Sequence, residues 1–216
     1  MIKVISLDIG GTILFTENIN KYGFNELAII TNKPYEEVKK CYKEIFQKQK
    51  GTLEELTMMF CNKLKIEINN EILNFFKEKF NEVNNVVTLN NIVMEFIYKL
   101  KQKNLKIILF SNSCCLMKNS LDASFISQFD DIFYSYDLGY SKEDKESYRI
   151  IEEKMGYKPD EFLHVGDTLT SDYLYPKKYG WNALYYGKNS DDLVESIITL
   201  DEVFNYLEIE QKKNIC

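Results

Sequence analysis

The sequence has little of what several common classes of protein site require. It contains one histidine, three prolines and one tryptophan, and no stretch approaches the roughly 18 consecutive apolar residues of a membrane span. The single histidine, His164, argues against histidine-dependent catalysis and against zinc sites that need several imidazole ligands. Because His164 lies within an apolar run, we expect its side chain to be packed in the core or to face the edge of the sheet. These absences argue against a membrane-spanning protein and against a histidine-based zinc enzyme.

Basic residues are not in excess, and the cysteines are not arranged in metal-binding pairs. The net charge is -6, whereas a general nucleic-acid binder carries a basic face, so we expect no nucleic-acid partner. Anionic substrates are still allowed, because a bound cation reverses the local field. The five cysteines include no CxxC pair, and adjacent Cys114 and Cys115 are poor disulfide partners for each other. With an N-terminus that lacks signal-peptide organisation, this predicts reduced thiols in a cytoplasmic protein.

Short apolar and β-branched runs alternate with helical patterns along most of the chain. Five runs predict buried parallel strands, at residues 3–7, 105–110, 131–136, 162–165 and 183–186. Helices are predicted at residues 91–102, 147–155, 173–179 and in the tail 201–216. Strands that alternate with helices form a doubly wound parallel sheet, so we expect an α/β fold. A chain of this length leaves room for a second, smaller unit, and it leaves open whether the protein is a monomer or a homodimer.

Residues 16–89 break this alternation, because they contain no convincing strand. Pro34, followed by two glutamates, indicates a helix start, since proline suits the first turn and acids favour the N-terminal end of the dipole. Thr52 and Glu55 have the spacing of a capping box. Residues 70–80 are amphipathic. We therefore predict a core domain of residues 1–15 and 90–216, with an inserted all-helical domain at residues 16–89.

Aspartates follow two of the predicted strands. Asp8 comes directly after the first strand and precedes a pair of glycines, where ligands bind in open α/β sheets. An aspartate there can act as a nucleophile, or it can simply cap a turn. Asp167 and Asp172 follow the fourth strand, and Asp172 can instead cap a helix. Three carboxylates at one sheet edge repel one another unless a cation lies among them, and hard oxygen ligands suit magnesium.

Four segments occur in the order of the motifs of the haloacid dehalogenase superfamily and resemble them. They are residues 8–12, residues 109–112, Lys142 with Gly139 and Tyr148 around it, and residues 166–172. The resemblance extends over almost the whole chain. It implies a Rossmann-like core with a helical cap inserted after the first motif, and most often a magnesium-dependent phosphatase with an aspartate nucleophile. The implied partner is a small phosphorylated substrate that the cap selects and encloses.

The resemblance also implies a role for each matching residue. Asp8 is the nucleophile, and Lys142 neutralises charge on the transferred group and orients Asp8, with Lys145 as the alternative lysine. Ser111, Asn112, Gly11 and Thr12 hold the phosphoryl oxygens. Magnesium is held by Asp8, the Gly10 carbonyl and Asp167, with Asp172 as a ligand or a supporting residue. The proline that often follows the lysine in this family is replaced by Glu143.

The sequence departs from the phosphatase pattern two residues after Asp8. The phosphatases of this family carry there a second aspartate that acts as general acid and base, whereas this chain has Gly10. The carbonyl for magnesium is retained, but a proton transfer worth about a hundred- to ten-thousand-fold in rate is lost.

Three interpretations follow from this departure. The first is a phosphatase that is weak, acts on esters with good leaving groups, or takes its general acid from the cap or the substrate. The second is a dehalogenase-like branch, or a phosphonate-cleaving branch that needs a cap lysine. The third is a non-catalytic protein that binds metal or phosphate. The joint presence of Asp8, Ser111, Lys142, Asp167 and Asp172 favours a hydrolase, and we predict the phosphatase.

Overall fold

The structure is a computed structural model, and it describes residues 1–15, 23–85, 88–117, 121, 123–189 and 191–213. Parts of the predicted insert (residues 16–22 and 86–87) and the end of the predicted tail helix (residues 214–216) lie outside the described residues. The strands are β1 (Val4–Leu7), β2 (Leu14–Phe15), β3 (Thr88–Leu89), β4 (Lys106–Ser111), β5 (Asp131–Tyr134), β6 (Phe162–Gly166), β7 (Asn182–Tyr186) and β8 (Ser196–Ile197).

Helices flank or connect these strands. They are α1 (Phe24–Thr31), α2 (Tyr35–Phe46), α3 (Leu53–Leu64), α4 (Asn70–Asn85), α5 (Val93–Gln102), α6 (Ala123–Ile126), α7 (Ser135–Leu138), α8 (Lys145–Met155), α9 (Tyr175–Lys178) and α10 (Glu202–Lys213). A 3-10 turn at Pro159–Glu161 precedes β6, and a π-helical segment at Leu169–Leu174 leads into α9. Within the described part of the chain, no helix is long and apolar enough to cross a membrane.

Six strands form one parallel sheet in the order β5-β4-β1-β6-β7-β8. Successive side chains of β1 point to opposite faces, so Ile5 and Leu7 join one apolar cluster while Val4 joins another. Helices cover both clusters, which explains why the central strands are apolar without alternation. The predicted doubly wound α/β fold is confirmed.

The predicted strands are found within one residue of their expected ends, with one larger difference. The run at residues 131–136 stops as a strand at Tyr134, and Ser135–Leu138 turns into the short helix α7. The prediction missed the two-residue strands β2, β3 and β8, the four-residue helix α6 and the helix α1. The strands are too short for a periodic pattern to reveal, and α1 comes before the first recognised helix start.

The helices α1 to α4, which we call the insert, pack around an apolar cluster of their own. Phe46, Phe60 and Phe76 lie at its centre, with ring centroids 4.4–6.0 Å apart. Pro34 is the N-cap residue of α2. The predicted capping box opens α3, where the Thr52 hydroxyl accepts from Glu55 N at 3.2 Å and the Glu55 carboxylate accepts from Thr52 N at 2.8 Å.

The expectation that residues 16–89 contain no strand is wrong at their end. Thr88 and Leu89 form β3, which pairs antiparallel with Leu14 and Phe15 of β2. The chain therefore leaves the core and returns to it through two short strands that lie side by side. A run of two residues is too short for periodicity to reveal, and only the pairing identifies it.

Candidate active site

The carboxyl ends of β1, β4 and β6 bring three predicted site residues to one edge of the sheet. Asp8 follows β1 and its amide donates to Val165 O at 2.9 Å, while Ser111 ends β4 and Asp167 follows β6. This is the crevice in which open α/β sheets bind ligands. Asp8 and Ser111 are both buried.

Gly11 allows Asp167 to approach the turn after β1. Its φ of 84° is in the left-handed region, and a Cβ built there would lie 1.9 Å from Asp167 Oδ2. A side chain at position 11 would therefore displace the Asp167 carboxylate. Gly10, in contrast, is not among the described residues with positive φ, so its backbone angle does not require glycine.

Asp8, Asp167 and Asp172 each place one carboxylate oxygen within 4.8 Å of the others. Burial, followed by the negative charge of Asp8, raises the pKa of Asp167 to about 7. Asp167 Oδ1 is buried and has no hydrogen-bond partner within the described residues. A buried carboxylate oxygen without a donor, beside two further carboxylates, fits a hard divalent cation.

The Lys142 side chain is fully buried and joins two of these carboxylates. Its Nζ donates to Asp8 Oδ1 at 2.5 Å and to Asp172 Oδ1 at 2.7 Å. Burial lowers the pKa of Lys142, but the charges of Asp172 and Asp8 outweigh this effect and hold the pKa above its usual value. Lys145, the alternative lysine, lies exposed at the start of α8. The structure thus places Lys142, and not Lys145, at the site.

Contacts with its backbone hold Lys142 in position. Asn112 Oδ1 accepts from Lys142 N at 2.9 Å, and the Tyr148 hydroxyl donates to Lys142 O at 2.9 Å. The Lys142 ammonium also lies 5.4 Å from the centroid of the Phe110 ring. The six-residue spacing between Lys142 and Tyr148 therefore has a structural cause. The Asn112 side-chain oxygen thus helps to position the lysine.

The oxygens of the Asp172 carboxylate already have hydrogen-bond partners within the protein. Besides Lys142, it accepts from Thr168 N at 2.8 Å, and it lies 3.3 Å from His164 Nε2. Burial raises the pKa of Asp172, but Lys142 and His164 outweigh burial and hold the pKa well below its usual value. This geometry suits a residue that fixes Lys142 better than one that binds a metal directly.

His164 has a role that the sequence interpretation missed. It is buried as expected, but its Nδ1 lies 2.8 Å from Ser6 Oγ and its Nε2 faces Asp172. Burial lowers the pKa of His164. Ser6, His164 and Asp172 thus form a row of side chains in polar contact that ends at Lys142 and helps to hold it in position. The sequence did contain a signal for this role. Ser6 and His164 are polar residues within apolar strands, and they lie shortly before Asp8 and Asp167.

A cavity of about 430 Å³ opens in front of these residues. Of the predicted site residues, Asp8, Gly10, Ser111, Asn112, Lys142 and Asp172 line it. Thr12 is fully buried and its hydroxyl has no partner in the described structure, while its carbonyl accepts from the Asn90 side chain at 3.2 Å. The insert contributes residues that the sequence interpretation missed, namely Phe24, Tyr35, Lys39, Lys43 and Gln47.

Comparison with known proteins identifies the family. The family model of haloacid dehalogenase-like hydrolases matches residues 2–180, which is most of the chain. The chain belongs to the haloacid dehalogenase-like hydrolases. An uncharacterised hydrolase of Schizosaccharomyces pombe is 25% identical over 211 residues, which cover 85% of this chain and 90% of the relative.

Solved structures of haloacid dehalogenase-like proteins share the fold. A HAD family enzyme from Bacteroides thetaiotaomicron, in complex with magnesium and inorganic phosphate, has a TM-score of 0.56 at 13% identity and covers 89% of this chain and 98% of its own. A 2-haloacid dehalogenase from Pseudomonas syringae has a TM-score of 0.60 at 15% identity, with coverages of 96% and 99%. The same fold is therefore found in a protein that binds magnesium and phosphate and in a 2-haloacid dehalogenase. The fold alone does not identify the reaction, which has to be inferred from the residues of the site.

Ion pairs connect the insert of this hydrolase to the loops beside the site. Lys43, on α2, pairs with Glu143, the residue that stands where the family often has proline. Lys48 pairs with Asp144, and Lys50 pairs with Asp137. These pairs are partly exposed, so each contributes at most about 1 kcal/mol. Together they fix α2 over the cavity.

The cysteines near the site are free thiols. Cys114 is buried against the apolar cluster of the insert, and burial raises its pKa to about 12. Cys115 is half-buried and donates to Gly51 O at 3.5 Å. Because the thiolate is the nucleophilic form, Cys114 is not suited to covalent catalysis.

Proposed function

We propose that this hydrolase is a magnesium-dependent phosphatase acting on a small phosphorylated molecule. The observation that carries the proposal is the contact of Lys142 Nζ with Asp8, inside a cluster of three carboxylates at the carboxyl edge of the sheet. A dehalogenase with an aspartate nucleophile needs no cation, so the cluster and the buried oxygen of Asp167, which has no hydrogen-bond partner among the described residues, favour the phosphatase.

Asp8, the Gly10 carbonyl and Asp167 would hold the magnesium ion. When bound, magnesium supplies positive charge that stabilises the phosphoryl oxygens. Asp172 would support the site through Lys142, since its own oxygens already accept hydrogen bonds from protein groups.

Asp8 would attack phosphorus, forming an aspartyl phosphate as the bond to the leaving oxygen breaks. Lys142 orients the Asp8 carboxylate and balances charge on the transferred group. The Ser111 hydroxyl, the Asn112 amide and the turn at Gly11 and Thr12 would hold the phosphoryl oxygens. Water would then attack phosphorus, which releases phosphate and restores the Asp8 carboxylate.

Gly10 determines which esters can react well. Without a general acid at this position, the leaving oxygen departs unprotonated or takes a proton from solvent or substrate. Aryl and acyl phosphates have leaving groups that are stable as anions, so they would react faster than alkyl phosphates.

The test is hydrolysis of p-nitrophenyl phosphate by the wild-type protein and by Asp8→Asn, each with magnesium and with a chelator. We expect turnover only in the wild type with magnesium, and circular dichroism controls for the fold of the variant. Near wild-type turnover by Asp8→Asn would refute the mechanism. Halide release from a 2-haloacid without magnesium would establish the dehalogenase, and binding of phosphate without any turnover would establish the non-catalytic protein.

A further inference from the structure

One face of α2 lines the cavity opposite the catalytic residues. Tyr35, Lys39, Lys43 and Gln47 all contribute to the lining, and they are spaced four residues apart. Residues with this spacing lie above one another on a helix. From Lys39 to Gln47 the helix rises about 12 Å, so the face is long enough to contact a whole small metabolite.

Each lysine around the cavity except one contacts a carboxylate. Lys142 contacts Asp8 and Asp172, and Lys43 pairs with Glu143. The remaining charged residue of the lining is Lys39, which is half-buried. Its ammonium lies 5.6 Å from the centroid of the Tyr35 ring, and no carboxylate of the described residues pairs with it. Lys39 is therefore a cavity-lining cation that makes no ion pair within the described structure.

Gln47 provides a second, independent indication of a ligand on this face. Its side chain is only 7% exposed, and its amide oxygen has no hydrogen-bond partner among the described residues. A buried carbonyl oxygen without a donor is unfavourable, and a bound molecule that donates a hydrogen bond there would remove the penalty. The α2 face thus has a free cation near one end and an unsatisfied acceptor near the other.

We propose that the substrate carries a second anionic group, a carboxylate or a second phosphate, which binds Lys39 while the reacting phosphoryl group lies at Asp8. This inference rests on the proposed function, because that function places the phosphoryl group. A charge-assisted hydrogen bond to a partly desolvated ammonium is stronger than one to a neutral group. Substrates with the second anion would therefore bind more tightly than neutral analogues of the same size.

The experiment compares matched substrates that differ only in the second anionic group. One pair is glycerol 3-phosphate and 3-phosphoglycerate, which exchanges a hydroxymethyl group for a carboxylate. The other is fructose 6-phosphate and fructose 1,6-bisphosphate, which adds a phosphate. For at least one pair, we expect the wild type to favour the more anionic member by about tenfold in kcat/KM, mainly through KM. The pair that shows the preference identifies the anion.

Three variants locate the preference. Lys39→Met should abolish it, whereas Lys39→Arg should retain most of it because the charge is kept. Lys40→Met is the matched control, since Lys40 is on the same helix but exposed and outside the cavity lining, and it should behave as wild type. A preference that survives in Lys39→Met, or is absent from the wild type in both pairs, would overturn the inference.

Hydrolysis of p-nitrophenyl phosphate distinguishes failure of the second-anion inference from failure of the proposed phosphatase function. If the wild type hydrolyses it but does not discriminate within either pair, in kcat/KM or, where alkyl turnover is too slow to measure, in calorimetric affinity, only the second anion site is refuted. If it does not hydrolyse it, the phosphatase is refuted, and calorimetric titration of the same pairs decides the remaining question. Tighter binding of the anionic member, lost in Lys39→Met, would still support the site, and equal affinities would overturn it.

Discussion

Replacing Gly10 with aspartate should increase the hydrolysis of alkyl phosphates. Gly10 is two residues after Asp8, lines the cavity, and is not among the described residues with positive φ. We expect a carboxylate added at this position of the lining to reach the leaving oxygen of a substrate bound at Asp8. Positioned general acid catalysis contributes about 10²- to 10⁴-fold, so we expect a gain of at least about 100-fold in kcat for an alkyl phosphate.

The gain from Gly10→Asp should depend on the leaving group. An aryl phosphate needs little protonation of its leaving oxygen, so its rate should rise far less than that of glycerol 3-phosphate. Gly10→Asn is the matched control, because it has nearly the same shape as aspartate but cannot transfer the proton. Steady-state kinetics with both substrates and thermal melts of all three proteins make up the assay.

Equal gains for both substrates, or an equal gain in Gly10→Asn, would refute this reasoning. If Gly10→Asp is folded and shows no gain, another residue already supplies the proton. The cap or the substrate would then be the place to look for it, and the argument from Gly10 to leaving-group preference would be wrong.

The other predictions concern the acidic cluster and its supports. Because burial raises the pKa of Asp167 to about 7, this carboxyl should cost the metal-free protein stability as the pH rises from about 4 to about 7, and in thermal melts with chelator Asp167→Asn should remove that contribution and leave the one from Asp8, whose pKa burial also raises. Magnesium should raise the melting temperature of the wild type but not of Asp167→Asn, and an equal rise in both would contradict the assigned ligand. Asp172→Asn should reduce kcat at least about tenfold, because Lys142 loses its second carboxylate; unchanged kinetics would show that Asp172 does not position it. Lys43→Glu should raise KM, and Glu143→Lys in the same protein should restore it, unless the pair does not help to position α2.

The features that were predicted best from the sequence are those that depend on a few neighbouring residues. Strand-ending aspartates, the capping box at Thr52 and the apolar runs of the central strands act over a few residues, and the structure contains each of them. The choice of Lys142 over Lys145 also came from local spacing, and the Tyr148 hydroxyl explains that spacing.

What the sequence did not predict depends on partners distant in the chain. His164 contacts Ser6 across the β1–β6 pair, a relation between residues 158 positions apart. The cavity face of α2 could be described as amphipathic, but nothing in the helix shows that Lys39 and Gln47 face Asp8. The register of the strands determines the first of these contacts, and the placement of the insert determines the second. Both are established only when the strands pair and the insert packs on the core.

The pairing of β2 with β3 has a consequence for how the insert of such a protein can be replaced by another one. Leu14 pairs with Leu89, and Phe15 with Thr88, so the two chain crossings are neighbouring strands about 5 Å apart. A segment with adjacent ends can be exchanged for one of different length without stretching the scaffold that carries Asp8, Lys142 and Asp167. Under the proposed function, substrate choice and phosphoryl chemistry would therefore be encoded in separable parts of the chain, and a new insert would redirect the same reaction to another metabolite.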